Sequence, residues 1–130
     1  MPKRKEKTID DIAEEKYPWL DGWFFAMPDG WKKTFGLKMC EELDQILKKG
    51  NIDKEYKVLE IKEKYARLCW YGSTLTDSIF EEYSEWERKY EELSTKTCQI
   101  CGESGKIEDV GGGWLATVCP HHKEGLKNFM

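Results

Sequence analysis

The last third of the chain carries two short motifs whose residue types and spacing suit a metal ion. They are Cys98-Gln99-Ile100-Cys101-Gly102 and Cys119-Pro120-His121-His122. Two ligands three positions apart can converge on one ion where the backbone turns tightly, and Gly102 permits such a turn. The 17 residues between Cys101 and Cys119 match the usual separation between the two halves of a zinc site. We therefore expect one structural zinc ion, bound by Cys98, Cys101, Cys119 and His122.

Two parts of this prediction have alternatives: which histidine is the fourth ligand, and whether the cysteines bind metal or act in redox chemistry. His121 is the other candidate, but the spacing of His122 from Cys119 repeats that of the first cysteine pair. Four protein ligands fill a tetrahedral shell and leave no open position for a catalytic water, so we expect a structural role. A redox-active Cys-x-x-Cys motif is the competing interpretation, and it leaves Cys119 and His122 unexplained.

The segment between the two motifs is predicted to form the strands of a small zinc ribbon. Residues 106–110 and 114–118 are typical of strands, and three consecutive glycines connect them. Trp114, beside these glycines, is either part of the ribbon core or an exposed binding residue, and we favour the core. The ribbon is expected to span residues 96–130 and to include a short C-terminal helix. Zinc binding supplies on the order of 10 kcal/mol of folding free energy, which suits so small a unit.

A second group of residues has the chemistry of a nucleotide-binding surface. Three cations lie close in sequence to three aromatic residues, and the six are Lys62, Lys64, Tyr65, Arg67, Trp70 and Tyr71. On a strand, Lys62 and Lys64 would point to one face. Positive charge suits a phosphate, and the face of an aromatic ring suits a base. The competing interpretation is an ordinary amphipathic strand with its aromatic residues in the core and its lysines in water.

Residues 8–95 are predicted to form the domain that positions these candidates. Apolar residues recur every three or four positions over 35–49 and over 75–93, which predicts two amphipathic helices. Residues 55–71 fit either a helix or two strands that turn near Tyr65-Ala66, and we favour the hairpin. The predicted fold class is α+β, with a small helical and hairpin domain followed by the C-terminal zinc ribbon.

The start of this domain is predicted to be a short helix and an aromatic connection. The helix is expected over 8–17, with Thr8 or Asp10 as its N-cap and Pro18 as its end. Two turn signals interrupt residues 19–31, so we expect a loop or short extended piece there. Its packing residues would be Trp19, Trp23, Phe24 and Phe25.

Composition and charge limit the functions open to the chain. It has 130 residues, a net charge of −4 and five cysteines. No apolar run reaches the length of a membrane span, and the basic N-terminus lacks the apolar region of a signal peptide. We therefore expect a reducing cytoplasm, where cysteines bind metal rather than form disulfides. Residues 1–7 are expected to be a basic mobile tail, and the acidic balance of the whole chain disfavours binding along nucleic acid.

Signals of catalysis are weak in this sequence. No glycine-rich phosphate loop precedes a helix, and both histidines lie in the second metal motif. No serine or cysteine has a recognisable histidine base, and no pair of glutamates stands out as an acid and a base. We therefore expect a protein without enzymatic activity.

Motifs spread over most of the chain after Gly30 carry a family resemblance. They are Gly30-Trp31, residues 37–43 around Cys40, Ile61-Lys62-Glu63-Lys64-Tyr65 with Leu68, Trp70 and Tyr71, Cys98-Gln99-Ile100-Cys101-Gly102, Gly105, Gly113-Trp114, Thr117 and Cys119 to His122. In these motifs the chain resembles a family of uncharacterised small proteins encoded by tailed bacteriophages and prophages. It departs from the family at Ala66 and Arg67, where the family usually has two glycines, and at Cys69, where the family has an arginine. Any role of that arginine does not transfer to this chain.

The resemblance implies a phage accessory protein and supplies no established activity. We expect a non-catalytic binding protein in the host-cell cytoplasm that interferes with a host process, for instance a defence pathway. Its partner would be a nucleotide-like small molecule or a host protein. The alternatives are a zinc-ribbon protein that binds nucleic acid or modulates transcription, and a structural or assembly protein.

Overall fold

The N-terminal helix, α1 (Ile9–Lys16), opens the computed structural model, which describes residues 7–73 and 75–123. Thr8 is its N-cap. The Thr8 hydroxyl accepts a hydrogen bond from the Asp11 N–H at 3.1 Å, and the Asp11 carboxylate accepts one from the Thr8 N–H at 3.1 Å. This capping box satisfies two N–H groups that the helix leaves unpaired, and it confirms Thr8 as the cap. The predicted tail, apart from Lys7, and the predicted short C-terminal helix lie outside the described residues.

The aromatic segment after α1 folds into two 3₁₀ turns, Pro18–Leu20 and Trp23–Ala26, instead of the expected loop or extended piece. Asp21 and Gly22 separate the turns with left-handed φ values of 53° and 87°. A 3₁₀ turn has three residues per turn, so neighbouring side chains point in different directions. Phe25 is 67% exposed, and it packs within this segment only by stacking on the Trp23 ring, with the ring centres 6.3 Å apart. The buried side chains of the segment are Trp19, Leu20 and Phe24.

A continuous helical run follows in three parts, namely α2 (Asp29–Trp31), a π-helical segment (Lys32–Gly36) and α3 (Leu37–Lys49). It begins before the predicted start at residue 35, because the carbonyl of Pro28 already accepts the first hydrogen bonds of the helix. The predicted apolar stripe is nevertheless present. Its buried members are Phe35, Met39, Leu43 and Leu47.

The predicted hairpin is confirmed, with antiparallel strands β1 (Val58–Lys64) and β2 (Arg67–Gly72). Tyr65 and Ala66 form its two-residue turn with φ values of 52° and 69°, the left-handed conformation that such a turn requires. This conformation is unfavourable for residues with a side chain. The Ala66 N–H donates to Glu63 Oε1 at 3.0 Å, which helps to hold the turn.

The last helix of the first domain, α4 (Asp77–Ser94), packs against α3 and β2. Its predicted stripe faces the core, where Ile79, Tyr83, Trp86 and Tyr90 are buried. The buried aromatic side chains also satisfy their polar atoms. Trp86 Nε1 donates to the Met39 carbonyl at 2.9 Å, and Trp70 Nε1 donates to Tyr56 Oη at 2.9 Å. An unpaired N–H or O–H group in a core costs free energy, so these hydrogen bonds let the aromatic side chains be buried without that cost.

Residues 96–123 form a C-terminal module around a second antiparallel pair, β3 (Lys106–Asp109) and β4 (Leu115–Val118). Three glycines at 111–113, all with positive φ, turn the chain between these strands. Trp114 follows the turn before β4 begins and is 60% exposed, so the expectation that it lies in the ribbon core is wrong. The buried core of the module is small and consists of Cys98, Val110, Ala116, Val118 and Cys119.

The two sheets, β1–β2 and β3–β4, share no strand. In the chain, α1 to α3 precede the first sheet and α4 lies between the two sheets. Helices and antiparallel strands that segregate along the chain in this way confirm the predicted α+β class. Within residues 7–73 and 75–123, no helix combines the length and the apolar character needed to cross a membrane.

Candidate metal centre

The four side chains that the spacing predicted as ligands converge in the C-terminal module. The ligand atoms that lie within 4.8 Å of one another belong to Cys98, Cys101, Cys119 and His122. Cys101 Sγ is 3.7 Å from Cys119 Sγ, and His122 Nδ1 is 3.1 Å from Cys119 Sγ and 3.6 Å from Cys98 Sγ. A tetrahedral ion with bonds of about 2.3 Å to sulfur and about 2.0 Å to nitrogen keeps its ligand atoms about 3.5–3.8 Å apart. The cluster therefore has the dimensions to hold one metal ion.

His122, and not His121, supplies the nitrogen atom of this cluster. The N–H of His122 donates to the Cys119 carbonyl at 3.1 Å and closes a tight turn. That turn brings the ring of His122 back towards the cysteines, whereas the side chain of His121 is exposed. The geometry therefore favours the ligand set that contains His122.

The first cysteine motif turns in the same way. The Gly102 N–H donates to the Cys98 carbonyl at 3.0 Å, and the Cys98 N–H donates to the Glu103 carbonyl at 2.8 Å. Gly102 has a φ of 83°, a conformation that a residue with a Cβ atom adopts only with strain. The expectation that Gly102 permits the tight turn is thus met by its backbone.

The surroundings of the thiols affect their protonation. Burial opposes ionisation of Cys98, but the backbone N–H groups of Cys101, Cys119 and Ile100 lower its pKa to about 6. At Cys101, a backbone hydrogen bond from Glu103 favours the thiolate, whereas burial and the neighbouring Cys119 and Cys98 thiols raise its pKa. Thiolates packed this closely repel one another, and a divalent cation bound between them would remove that repulsion.

The start of the long helical run lies directly against the first cysteine motif. The Gly30 N–H donates to the Gln99 carbonyl at 2.8 Å, and the buried indole of Trp31 donates to the Thr97 carbonyl at 2.8 Å. A methyl group at Gly30 would overlap the carbonyl oxygen of Cys98, so only glycine fits this close approach. Sequence reasoning missed this support. Gly30-Trp31 belonged to the family resemblance, but its partners lie too far along the chain to be found from spacing.

Further contacts connect the metal motifs to the rest of the molecule. Thr34 Oγ1 donates to the Gly102 carbonyl at 2.6 Å. Gln99 Oε1 accepts from the Thr117 N–H at 2.6 Å, which fixes the first motif to β4. The Thr117 hydroxyl in turn donates to the Ala66 carbonyl at 2.8 Å, so the hairpin turn also touches the C-terminal module. Residues of the first domain and of the C-terminal module therefore both support the candidate site.

The two remaining cysteines lie outside the cluster. Cys40 is buried in α3, and burial raises the pKa of its thiol. Cys69 is half-buried in β2, where burial again raises the pKa of the thiol. Both side chains are therefore protonated at neutral pH, and Cys40 is a small buried residue of the core.

The hairpin distributes the six candidate ligand-binding residues over two faces. Trp70 is only 5% exposed and packs in the aromatic core, so its ring is not available to stack on a ligand. This assignment is corrected because side chains alternate along a strand, and Trp70 shares the inner face with Leu68. The five residues that retain exposed surface are Lys62, Lys64, Tyr65, Arg67 and Tyr71.

On the outer face of the hairpin, two lysines lie over tyrosine rings. Lys62 Nζ is 5.6 Å from the centre of the Tyr71 ring, and Lys64 Nζ is 5.8 Å from the centre of the Tyr65 ring. At this distance an ammonium group is attracted to the face of the ring. The expected pairing of cation and aromatic ring is therefore present on this face.

The cations of this face differ in their acidic neighbours. Lys62 Nζ lies 3.3 Å from Glu60 Oε1, and Arg67 Nη1 lies 4.0 Å from Glu91 Oε1. Among the described residues, Lys64 has no carboxylate oxygen within 4.0 Å. Lys64 thus carries the least compensated positive charge of the three.

Comparison with known proteins identifies no relative of this chain. No family model, no curated protein and no solved structure matches it. The relation to phage-encoded proteins therefore stays a prediction from the sequence motifs. Functional inference about this chain therefore rests on its geometry together with those motifs.

Proposed function

We propose that the metal ion is zinc and that residues 96–123 are a zinc ribbon. Three sulfur ligands and one nitrogen ligand are a donor set typical of structural zinc sites. Three of the ligand-atom separations are 3.1, 3.6 and 3.7 Å, and all of them lie within 4.8 Å, which supports a single ion held between the four side chains. With all four positions filled by protein, the ion would hold the module together and would not activate a water molecule.

Metal analysis tests the proposed zinc site. Native mass spectrometry of protein purified without chelators should show one zinc ion per chain. The Cys119→Ser variant should lose the ion, whereas Cys69→Ser, which changes a cysteine outside the cluster, should retain it. A folded wild-type protein without zinc would contradict the proposal, and so would a Cys119→Ser variant that retains a full equivalent.

We also propose that the chain is a non-catalytic phage binding protein that interferes with a host process, such as a defence pathway. It would do so by capturing a nucleotide signal or a host protein. The observation that carries this proposal is the outer face of the hairpin, where Lys62 and Lys64 each lie over a tyrosine ring. Exposed rings and cations together suit a ligand that combines a planar group with negative charge.

Of these two kinds of partner, a nucleotide fits the face better. A phosphate can pair with a lysine, and a base can stack on a tyrosine ring without any requirement for its identity. The chain has a net charge of −4, so a continuous basic path along which a nucleic acid could bind is not expected. A small ligand needs only the local charge of the hairpin.

Capture of a ligand in infected cells tests this function. Protein isolated gently from phage-infected, defence-active cells should show an added mass of nucleotide size in native mass spectrometry. Lys62→Glu combined with Lys64→Glu should abolish the added mass, whereas Lys54→Glu, an exposed lysine elsewhere, should preserve it. Capture that is unchanged in the double variant would contradict the role of this face. A co-purified host protein in place of the nucleotide would assign the same face to a protein target.

A further inference from the structure

A groove separates the hairpin turn from the glycine turn of the C-terminal module. Its lining residues are Glu63, Lys64, Tyr65, Gly113, Trp114 and Leu115. The groove has a volume of about 270 Å³. Pockets that enclose drug-sized ligands span roughly 300–1,000 Å³, so this groove has room for one ring system and little more.

Two aromatic side chains from different modules flank this groove and are unusually exposed. Tyr65 is 71% exposed and Trp114 is 60% exposed. Tyr65 also holds a left-handed φ of 52°, which is unfavourable for a bulky residue. Exposed ring faces on either side of a groove are the surfaces on which a base can stack.

The polar groups of the groove complement a nucleotide. Lys64 Nζ lies near the Tyr65 ring and, among the described residues, has no carboxylate oxygen within 4.0 Å, so it can pair with a phosphate. Glu63 Oε1 already accepts from the Ala66 N–H, which anchors the carboxylate beside the groove. Glu63 Oε2 can then accept a hydrogen bond from an amino or imino group of a base.

One hydrogen bond connects the two modules that line the groove. The Thr117 hydroxyl, in β4, donates to the Ala66 carbonyl, in the hairpin turn, at 2.8 Å. On the other side, the Val110 N–H donates to the Trp114 carbonyl at 2.9 Å, and the Trp114 N–H donates to the Gly111 carbonyl at 3.0 Å. Hydrogen bonds therefore order the turns that carry Tyr65 and Trp114, and this order lowers the conformational entropy lost on binding a ligand.

We propose that this groove is the base subsite of a free nucleotide, with Tyr65 and Trp114 as its aromatic walls and Lys64 as its phosphate contact. The inference rests on the proposed nucleotide-binding function and extends the binding surface to Trp114, in the other module. The ligand is a single nucleotide because the groove holds one ring system and Lys64 is the only uncompensated cation among the described residues that line it.

Titration of the protein with AMP, GMP, CMP and UMP, followed by the indole N–H signals in an NMR spectrum, tests the proposal. The Trp114 signal, assigned by its absence in Trp114→Phe, should shift in a saturable manner with at least one nucleotide. Ribose 5-phosphate and inorganic phosphate, which lack the base, should bind at least tenfold more weakly. Trp114→Ala and Lys64→Glu, followed by ligand-observed NMR, should each weaken nucleotide binding at least tenfold.

Matched variants separate the groove from general surface effects. Phe80→Ala removes an aromatic residue that is also 60% exposed, and Lys54→Glu reverses an exposed lysine outside the groove. Both should bind nucleotide as the wild type does. Equal weakening by Phe80→Ala and Trp114→Ala would overturn the inference. A single-stranded tetranucleotide that binds more than tenfold tighter, with steep salt dependence, would overturn the assignment to a free nucleotide.

The outcomes also distinguish this subsite from the broader function. If the wild type binds none of the four nucleotides at millimolar concentration, the base subsite is wrong, whatever partner is captured in infected cells. If a nucleotide is captured there and still binds Trp114→Ala fully, the groove is wrong and the hairpin face alone carries the function. If Trp114→Ala and Lys64→Glu both lose the nucleotide while the controls keep it, the groove is its site.

Discussion

Residues 8–95 enclose an aromatic core made by helices and a hairpin, whereas the core of residues 96–123 holds two cysteine ligands among a few small apolar side chains. The first domain can be stabilised by burial, since large side chains such as Trp31, Tyr56 and Tyr90 are almost fully removed from water. The C-terminal module buries too little apolar surface to fold by the same means. For the C-terminal module, we therefore expect the proposed metal ion and the contact with the helical run to supply the stability that a large core supplies in the first domain.

The largest expected effect follows from loss of the proposed metal ion, which should unfold the C-terminal module and leave the first domain folded. The Cys98→Ser variant, or removal of zinc by a chelator, should cost the C-terminal module on the order of 10 kcal/mol of folding free energy. Backbone amides of β3 and β4 should then exchange rapidly with deuterium, whereas those of α4 should stay protected. Cys69→Ser provides the control because Cys69 lies outside the cluster. Equal loss of protection in α4 would show that the first domain also depends on the metal.

Truncation of a core aromatic residue should have the next largest effect, this time in the first domain. Trp86→Ala removes a buried indole and its hydrogen bond to the Met39 carbonyl, so it should destabilise the domain by about 3–5 kcal/mol. Urea unfolding followed by circular dichroism measures the change. Phe80→Ala, on the exposed side of the same helix, should change stability by less than about 0.5 kcal/mol. Similar losses from the two variants would contradict the proposed importance of burial.

The contact between the two modules can be broken at Gly30. The Gly30→Ala methyl group overlaps the Cys98 carbonyl, and relieving such an overlap costs about 1–3 kcal/mol. Zinc affinity, measured by competition with a chromophoric chelator, should fall about tenfold, which corresponds to about 1.4 kcal/mol. Asp29→Ala, at a highly exposed neighbouring side chain, should leave the affinity unchanged. Undiminished affinity in Gly30→Ala would show that the module binds zinc independently of the helix.

The smallest expected effect is the acid sensitivity of the first domain. Burial raises the pKa of Glu42, but hydrogen bonds from Tyr90 and Lys89 outweigh it and lower the pKa below its ordinary value of 4.5. A lowered pKa stabilises the fold above the ordinary value, and this contribution is lost as the pH falls through the lowered pKa. Melting temperatures between pH 7 and pH 3 should therefore fall less steeply for Glu42→Gln than for the wild type. Glu81→Gln, at an exposed site, should follow the wild-type curve.

Local patterns in the sequence predicted much of this structure. The periodic apolar residues located α3 and α4, and the cysteine and histidine spacing located the cluster. The alternation around Tyr65-Ala66 favoured the hairpin that the structure has. Each of these signals depends on residues that lie close together in the chain, so the sequence contains it directly.

The features that sequence reasoning missed depend on contacts between distant residues. Gly30 contacts Cys98 although 67 residues separate them in the sequence, and no local sequence pattern indicates that contact. The exposure of Trp114 and Phe25 depends on which neighbours happen to be near each ring, and average burial preferences do not decide it. Trp70 was assigned to a ligand surface because three cations lie close to it in sequence, whereas its own side of the strand faces the core.

The contact between Gly30 and the first cysteine motif also predicts an order of folding during synthesis. The helix that carries Gly30 and the core around α4 precede the metal ligands in the chain, so a ribosome can release them and they can pack first. Cys119 and His122 would then join the first cysteine motif beside a folded domain. In the proposed zinc site, binding of the ion would be the last step of assembly, so that a zinc-loaded chain is one whose first domain has already folded.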